Sequence, residues 1–239
     1  MSASAAPVRS RGLIVAIDGP SGAGKSTITR MLAKRLGYLY IDTGAMYRAI
    51  ALEVKRTGVD PDDDDALAEL CRRSKITFDR TDGCCHVFMN GVDVSAAIRT
   101  PEISLLTSKI SARKVVRGVM ADQQRELGRD GGVILEGRDI GTVIFPDADV
   151  KFFLSASVEE RGLRRYRELL AKGADVSLDK TIAAVAQRDD QDALREHAPL
   201  RRADDAVDVD STGLSIEAVL TLMEGRIKEK LKAVDGERR

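Results

Sequence analysis

The sequence predicts an α/β fold: a five-stranded parallel sheet flanked by helices, interrupted once by a small inserted antiparallel meander. Three observations carry this. Five short apolar runs recur along the chain, several of them uniformly apolar rather than alternating, as strands covered on both faces are. Segments of helical periodicity separate them, and strand, helix, strand in repetition argues a doubly wound parallel sheet. Two turn signals fall close together in one short segment, which marks the meander.

The apolar runs are Leu13–Ile17, Tyr38–Ile41, Val133–Leu135, Val150–Leu154 and Ala206–Val209. After the first, a helix is expected over Lys25–Leu36, closed by Gly37 at a position that favours left-handed backbone. The acidic run Asp60–Asp65 reads as a solvated helix N-terminus, because it lacks the spacing of a calcium loop. Ile76–Phe78, Cys85–Met89 and Val92–Val94 are the strands of the meander, turned by Asp82–Gly83 and Asn90–Gly91. Its place between the second and third main strands suggests a flap over a binding site more than a decoration. Ser157 followed by Glu160 forms a capping box for a helix running to Lys172–Gly173. In a final helix, about Ile216–Leu231, residues Ile216, Val219, Leu220, Met223 and Ile227 share one face. Residues 1–12 and 233–239 read as tails, which leaves one domain over 13–232 with no internal repeat.

Composition excludes several classes. A chain of 239 residues can bury one α/β core. Lys+Arg and Asp+Glu both number 38, so no overall positive field exists to hold a nucleic acid polymer. A small anion needs only a local arginine cluster. Cys71, Cys84 and Cys85 form no CxxC pair, and the adjacent two read as reduced strand residues. His86 and His197 stand alone, so no protein metal cage is expected. No apolar run approaches a membrane span, and the opening segment lacks the apolar stretch of a signal peptide. A cytoplasmic monomer is the expectation.

The strongest chemical signal is Gly19-Pro20-Ser21-Gly22-Ala23-Gly24-Lys25-Ser26, followed by Thr27. It satisfies GxxxxGK[ST] in full and sits between an apolar strand and a helix, as the phosphate-cradling mechanism requires. Glycines let successive backbone N–H groups curl inward onto phosphate oxygens, and the helix N-terminus adds positive potential. Lys25 would reach the β and γ phosphates of ATP, and the Ser26 hydroxyl would take a place on Mg²⁺ carried as MgATP. No NKxD sequence is present, and Val133–Leu135 leads into Glu136, Arg138 and Asp139 instead of a four-apolar-then-Asp strand. These features favour a small-molecule kinase over a GTPase switch or an ATPase motor.

Three further segments name an acceptor. Tyr40-Ile41-Asp42-Thr43-Gly44-Ala45-Met46-Tyr47-Arg48, then Glu136-Gly137-Arg138-Asp139-Ile140-Gly141-Thr142-Val143-Ile144-Phe145-Pro146-Asp147-Ala148, then Arg188-Asp189-Asp190-Gln191-Asp192 together resemble the bacterial cytidylate kinases. The resemblance runs from about Leu13 to Leu231 and includes the meander of that family's long form. It implies a P-loop kinase fold, an acceptor region over about 43–118 and a helical lid over about 157–178. It implies transfer of a phosphoryl group from ATP to CMP or dCMP. Thr43, Arg48, Arg138 and Arg195 would hold the acceptor phosphate, Arg188 and Asp192 the sugar, and Ser108, Arg117 and Asp139 the base. Two departures stand out. Ser26 occupies a position where many relatives have Gly, which strengthens its reading as a metal ligand, and Glu136 stands where they often have Asp.

Physical chemistry fits these assignments. A nucleoside monophosphate carries roughly −1.5 to −2 charge near neutrality and needs several fixed cations. Cytosine offers an amino donor and two acceptors, which a carboxylate and a guanidinium complement; uracil reverses that polarity. Arg188, Asp192 and Arg195 are spaced to share one helix face, and so are Arg161 and Arg165, which would point from the lid at the transferring phosphoryl group. Arg167 reads as ordinary surface. Two rivals remain at this stage: the same cradle serving UMP, dTMP or shikimate, and a regulatory module that binds ATP without transfer.

Overall fold

The computed structural model describes residues 12–79 and 86–237. The expected Asp82–Gly83 turn, Cys84 and Cys85 lie outside the described residues, as do the chain ends. The elements follow in the order β1 (Ile14–Asp18), α1 (Lys25–Leu36), β2 (Leu39–Asp42), α2 (Thr43–Thr57), α3 (Asp64–Arg73), β3 (Ile76–Asp79), β4 (His86–Met89) and β5 (Val92–Asp93). They continue with α4 (Pro101–Ile110), α5 (Lys114–Gly128), β6 (Val133–Gly137), β7 (Val150–Ser155), α6 (Val158–Ala171), α7 (Leu178–Ala193), β8 (Val207–Asp210) and α8 (Ile216–Glu237). Five strands form one sheet in the order β2-β6-β1-β7-β8, and β3-β4-β5 form the separate antiparallel meander. The described residues fall into two compact units, 12–38 with 131–237, and 39–130.

In the first unit, every residue of β1 and of β6 is buried, which is why both read as apolar runs without alternation. Their parallel register places Asp18 opposite Gly137 on one side and Phe153 of β7 on the other. β6 extends past the expected Leu135 because Glu136, although charged, continues the strand at 4% exposure. Helix α1 matches its expected span, and Gly37 closes it in left-handed backbone with its N–H donated to the Ala33 carbonyl. Ser157 caps α6 by accepting the Glu160 N–H at 3.2 Å, while the Glu160 carboxylate turns to Arg164 at 2.9 Å. The expected capping box is thus made in one direction, the acid having a cation within one turn. On α8, Val219, Leu220, Met223 and Ile227 are buried but Ile216 is half exposed. It is the first residue of the helix, ahead of the stretch that packs on α1.

In the second unit, Asp42 caps α2 by accepting from the Ala45 N–H, and Asp63 caps α3 by accepting from Ala66. Asp62 and Asp64, from the acidic run, pair with Lys109 at 2.6 Å and Arg113 at 2.8 Å. The Asn90–Gly91 turn adopts positive φ at both positions, 50° and 82°, the geometry of a two-residue hairpin loop. Ile76, Val87, Met89 and Val94 give the meander its buried face.

Candidate active site

The candidate phosphate cradle begins where β1 ends. At Gly19, φ is +147° and a Cβ would fall 2.0 Å from the Leu154 carbonyl oxygen, so only glycine fits this crossing. Gly24 then takes left-handed backbone as the N-cap of α1 and provides no side-chain cap. The first-turn amides of α1 therefore have no side-chain acceptor at the cap, as an anion-binding helix end requires. Lys25 is 6% exposed, and its ammonium donates to the Pro20 carbonyl at 2.7 Å. Burial, and next the Arg138 guanidinium, push it down to about 7, against the upward pull of Glu136, Asp18 and Asp192. Ser26 and Thr27 are exposed in the first turn. A hydroxyl at that place is the hard oxygen donor that Mg²⁺ takes, with phosphates completing its shell. Among the described residues, no cluster of three or more His, Cys, Asp or Glu is arranged to hold a metal.

One strand away, β6 delivers Arg138 and Asp139. The Arg138 Nε donates to Asp192 Oδ2 at 2.7 Å, and its Nη1 to the Gly137 carbonyl at 3.1 Å. Arg195 donates to the other oxygen of Asp192. The Asp192 side chain is 2% exposed. Burial acts to raise its pKa, but Arg138, Arg195 and then Arg188 outweigh that and hold the carboxyl below the usual range. Asp192 thus organises two arginines. The expectation that Arg188, Asp192 and Arg195 share one helix face needs correcting, because α7 ends at Ala193 and Leu194 closes it. Arg195 reaches Asp192 from the turn beyond the helix, while Arg188 lies exposed one turn before. Asp139 is buried and opens a π-helical turn, Ile140–Ile144, its carbonyl accepting from Val143 and Ile144 at 2.9 and 3.2 Å.

Helix α6 separates two arginines that its sequence treats alike. Arg161 is 3% exposed and binds Asp189 at 2.6 Å, the Ala156 carbonyl at 2.8 Å and the Ser21 carbonyl of the cradle at 3.1 Å. Arg165 is exposed and pairs with Glu168 at 2.8 Å. Between them Arg164 reaches the Ser211 hydroxyl and carbonyl at 3.2 and 3.1 Å. Their neighbours explain the difference: Arg161, in the first turn of α6, lies against the cradle, where a Cβ on Gly22 would fall 3.2 Å from the Arg161 Cβ, and meets Asp189 of α7, whereas Arg165, one turn on, meets Glu168 of its own helix.

In the second unit, Thr43 is buried at the start of α2, and Arg48 donates to Asp42 Oδ2 at 2.8 Å. Among the described residues, the buried Nε of Arg48 has no hydrogen-bond partner. On α4, Ser108 is exposed with its hydroxyl on the Ser104 carbonyl at 3.3 Å. On α5, Arg117 is 8% exposed, donates to the Ser111 carbonyl at 3.2 Å and lies 5.6 Å from the Tyr47 ring centroid.

Sequence reasoning passed over Asp18. It is 5% exposed, and its two oxygens accept from the Ile140 and Gly141 N–H groups at 2.9 and 2.8 Å. Burial raises it to about 6 against those two amides, with Asp139 adding to the rise and Lys25 opposing it. The available signal was a carboxylate ending an otherwise apolar strand, immediately before the glycine-rich loop.

Comparison with known proteins gives the family. The family model described as cytidylate kinase matches residues 15–229. A cytidylate kinase of Geobacter sulfurreducens is 70% identical over 226 residues, covering 95% of this chain and 97% of that protein. One from Bacillus subtilis is 47% identical over 218 residues, covering 91% and 97%. Among solved structures, an uncharacterized protein from Eubacterium ventriosum shares the fold with a TM-score of 0.51 at 11% identity, covering 90% of this chain and 98% of that one. The chain belongs to the cytidylate kinase family.

Proposed function

We propose that the protein transfers the γ-phosphoryl group of ATP to CMP or dCMP, giving ADP and CDP or dCDP. The observation that carries this reading lies in the first unit: the Gly19–Ser26 cradle leaves β1 at the strand end next to that from which β6 delivers Arg138, already paired to Asp192. On this reading a donor phosphate cradle and a cationic acceptor clamp would stand at adjacent strand ends.

In-line transfer needs alignment and charge neutralisation more than proton movement, because the attacking oxygen is already anionic. Lys25 and the amides at the start of α1 would hold the β and γ phosphates. Mg²⁺ bound with ATP would contribute charge neutralisation, and Ser26 would hold it. Arg138 and Arg195 would hold the acceptor phosphate, and the family pattern adds Thr43 and Arg48. Arg188 and Asp192 would serve the sugar, and Ser108, Arg117 and Asp139 the base. Arg165 would approach the transferring group from the lid over about 157–178, with Arg161 supporting it through its bond to the Ser21 carbonyl. Closure of that lid would exclude water from ATP.

A coupled ADP-release assay across CMP, dCMP, UMP, AMP and shikimate tests the reading. CMP and dCMP should be turned over far faster than the rest. ATP binding with no acceptor-stimulated ADP release would leave a regulatory module. In the same assay Asp139→Asn should lower the ratio of kcat/KM for CMP to that for UMP. A carboxylate only accepts hydrogen bonds, whereas an amide can also donate to the uracil carbonyl. A ratio unchanged while both values fall would assign Asp139 to phosphate or structure.

A further inference from the structure

At the end of β1 a charged residue stands where the fold itself asks for none. Residues Ile14 to Ile17 are apolar and buried, and Asp18, equally buried, closes the strand. Its two oxygens are matched one to one with the N–H groups of Ile140 and Gly141. Those amides belong to the opening of the π-helical turn, and the first donors of a helical segment lack partners within it. Asp18 therefore caps the turn from a different strand. A Cβ added to Gly141 would meet Asp18 Oδ2 at 3.4 Å, an ordinary contact, and the Lys151 Cδ at 3.1 Å, so the turn has room for a methyl group but not for a branched side chain.

The covalent neighbours of this contact give it a role. The residue after Asp18 is Gly19, the start of the phosphate cradle. The two residues before Ile140 are Arg138 and Asp139. The strand register fixes Gly137 opposite Asp18, so the segment 137–141 is held at one end by the sheet and at the other by the Asp18 carboxylate. We infer that Asp18 is a positioning residue for the transfer: its carboxylate clamps the turn bearing Arg138 and Asp139 to the entrance of the phosphate cradle, and so sets the acceptor groups against the donor. It touches neither substrate. The inference rests on the reading above that Arg138 and Asp139 serve the acceptor.

Burial agrees with it. A carboxylate driven up to about 6 by its surroundings is held there at a cost, and the two amide bonds it makes are what that placement secures. A hydrophobic residue would close the strand without that cost but would leave both amides unsatisfied.

The test uses two variants that disturb the clamp from opposite sides. Asp18→Asn keeps one acceptor oxygen and turns an NH₂ group toward the second N–H donor. Gly141→Val leaves Asp18 intact, and its methyl groups, one bond beyond a Cβ already in contact with Asp18 Oδ2, force the turn away. Steady-state kinetics are measured with the acceptor that the wild type turns over, and ATP affinity separately by calorimetry without acceptor. Both variants should lose about tenfold or more in kcat/KM for the acceptor, while the Kd for ATP moves less than about threefold. The double variant should lose much less than the product of the two, because both act on one contact. Should Asp18→Asn not fold, Gly141→Val alone carries the split between acceptor kinetics and ATP binding. Equal losses in ATP affinity and acceptor kinetics, acceptor kinetics within about twofold of wild type, or fully multiplicative losses would each overturn the proposal. Failure of the functional reading would show separately, as a wild type that prefers an acceptor other than CMP or dCMP.

Discussion

The end of β1 and the α4–α5 segment both supply predicted site residues, but the chain builds them by different rules. Around β1, Lys25, Asp18, Asp192 and Arg161 are all less than a tenth exposed, and each is bound to a backbone group or an opposite charge. On α4, Ser108 is exposed and its hydroxyl does no more than return to the carbonyl one turn back. On α5, Arg117 is buried, donates to the Ser111 carbonyl and lies against the face of Tyr47. The first region is made of backbone shape, which only certain residues can adopt. The second is made of side chains on regular helices, which many residues could replace without disturbing the fold. A site of the first kind writes a motif into the sequence, and one of the second kind does not.

The comparison breaks first at Lys25. Lys25→Ala should fold and lose about 3–4 kcal/mol of transition-state stabilisation, on the order of 10²–10³ in kcat, on the scale of removing one preorganised donor. The same residue gives a pH signature. Burial first, then Arg138, hold its pKa at about 7, against an ordinary value of 10.5. At pH 8 the free enzyme therefore holds Lys25 mostly neutral, and phosphates arriving beside it favour the charged form. Wild-type protein should take up protons on binding MgATP at pH 8, less so at pH 6, and Lys25→Ala should not. Calorimetry in two buffers of different ionisation enthalpy measures the uptake. For stability the sign is the reverse of a paired lysine: between about 7 and 10.5 the folded state binds fewer protons than the unfolded, so stability from this group rises with pH. Near-normal kcat in folded Lys25→Ala would remove the cradle from the mechanism.

Next in size is the contrast within α6. Arg161→Ala leaves Asp189 and the carbonyls of Ala156 and Ser21 without their cation. Breaking a buried pair destabilises by about 3–5 kcal/mol, and the partial exposure of Asp189, at 21%, puts this one near about 3 kcal/mol. Arg165→Ala removes only an exposed pair with Glu168 and should change stability by less than about 0.5 kcal/mol. Urea denaturation reads the first number, and kcat reads the second residue's proposed role at the phosphoryl group. A stable Arg161→Ala with a deep loss of kcat would move Arg161 from support to direct contact.

These cases show what was legible. β1 and β6 came through because burial on both faces leaves a continuous apolar run, and the cradle because its glycines sit where the backbone turns left-handed or crosses another strand. Strand ends were misjudged where a buried charge continued the strand, by one residue at Asp18 and by two at Glu136 and Gly137, because such carboxylates look like loop residues until the groups that satisfy or oppose them are in place. The end of α7 was missed for a related reason. The spacing of Arg188, Asp192 and Arg195 suits a helix, but the chain leaves the helix at Leu194 and Arg195 still finds Asp192 from the turn. Arg161 and Arg165 could not be told apart from α6 alone, because Arg161 is held by Asp189 of α7 and the Ser21 carbonyl of the cradle, both distant in sequence. Ser108 and Arg117 were reached through family resemblance, since a serine and an arginine on ordinary helices carry no local signal.

Ser108 gives the smallest expected effect and the sharpest test of the contrast. Its hydroxyl is exposed, and its bond to the Ser104 carbonyl, at 3.3 Å, competes with water. Alanine is the better helix former, so Ser108→Ala should leave the melting temperature unchanged or raise stability by up to about 0.5 kcal/mol. If the hydroxyl meets the base, as the family pattern assigns, its removal deletes one neutral hydrogen bond, about 0.5–1.5 kcal/mol. That corresponds to roughly two- to tenfold in kcat/KM for CMP. ATP affinity, which depends on the cradle in the other unit, should not change. The measurement is kcat/KM for CMP beside the ATP Kd and thermal stability of the same preparation. A loss as deep as that of Lys25→Ala would mean that a single exposed hydroxyl is as preorganised as the buried cradle, and the distinction between the two regions would fail. No loss at all would keep the distinction and take Ser108 out of base recognition, leaving Arg117 and Asp139 to read cytosine.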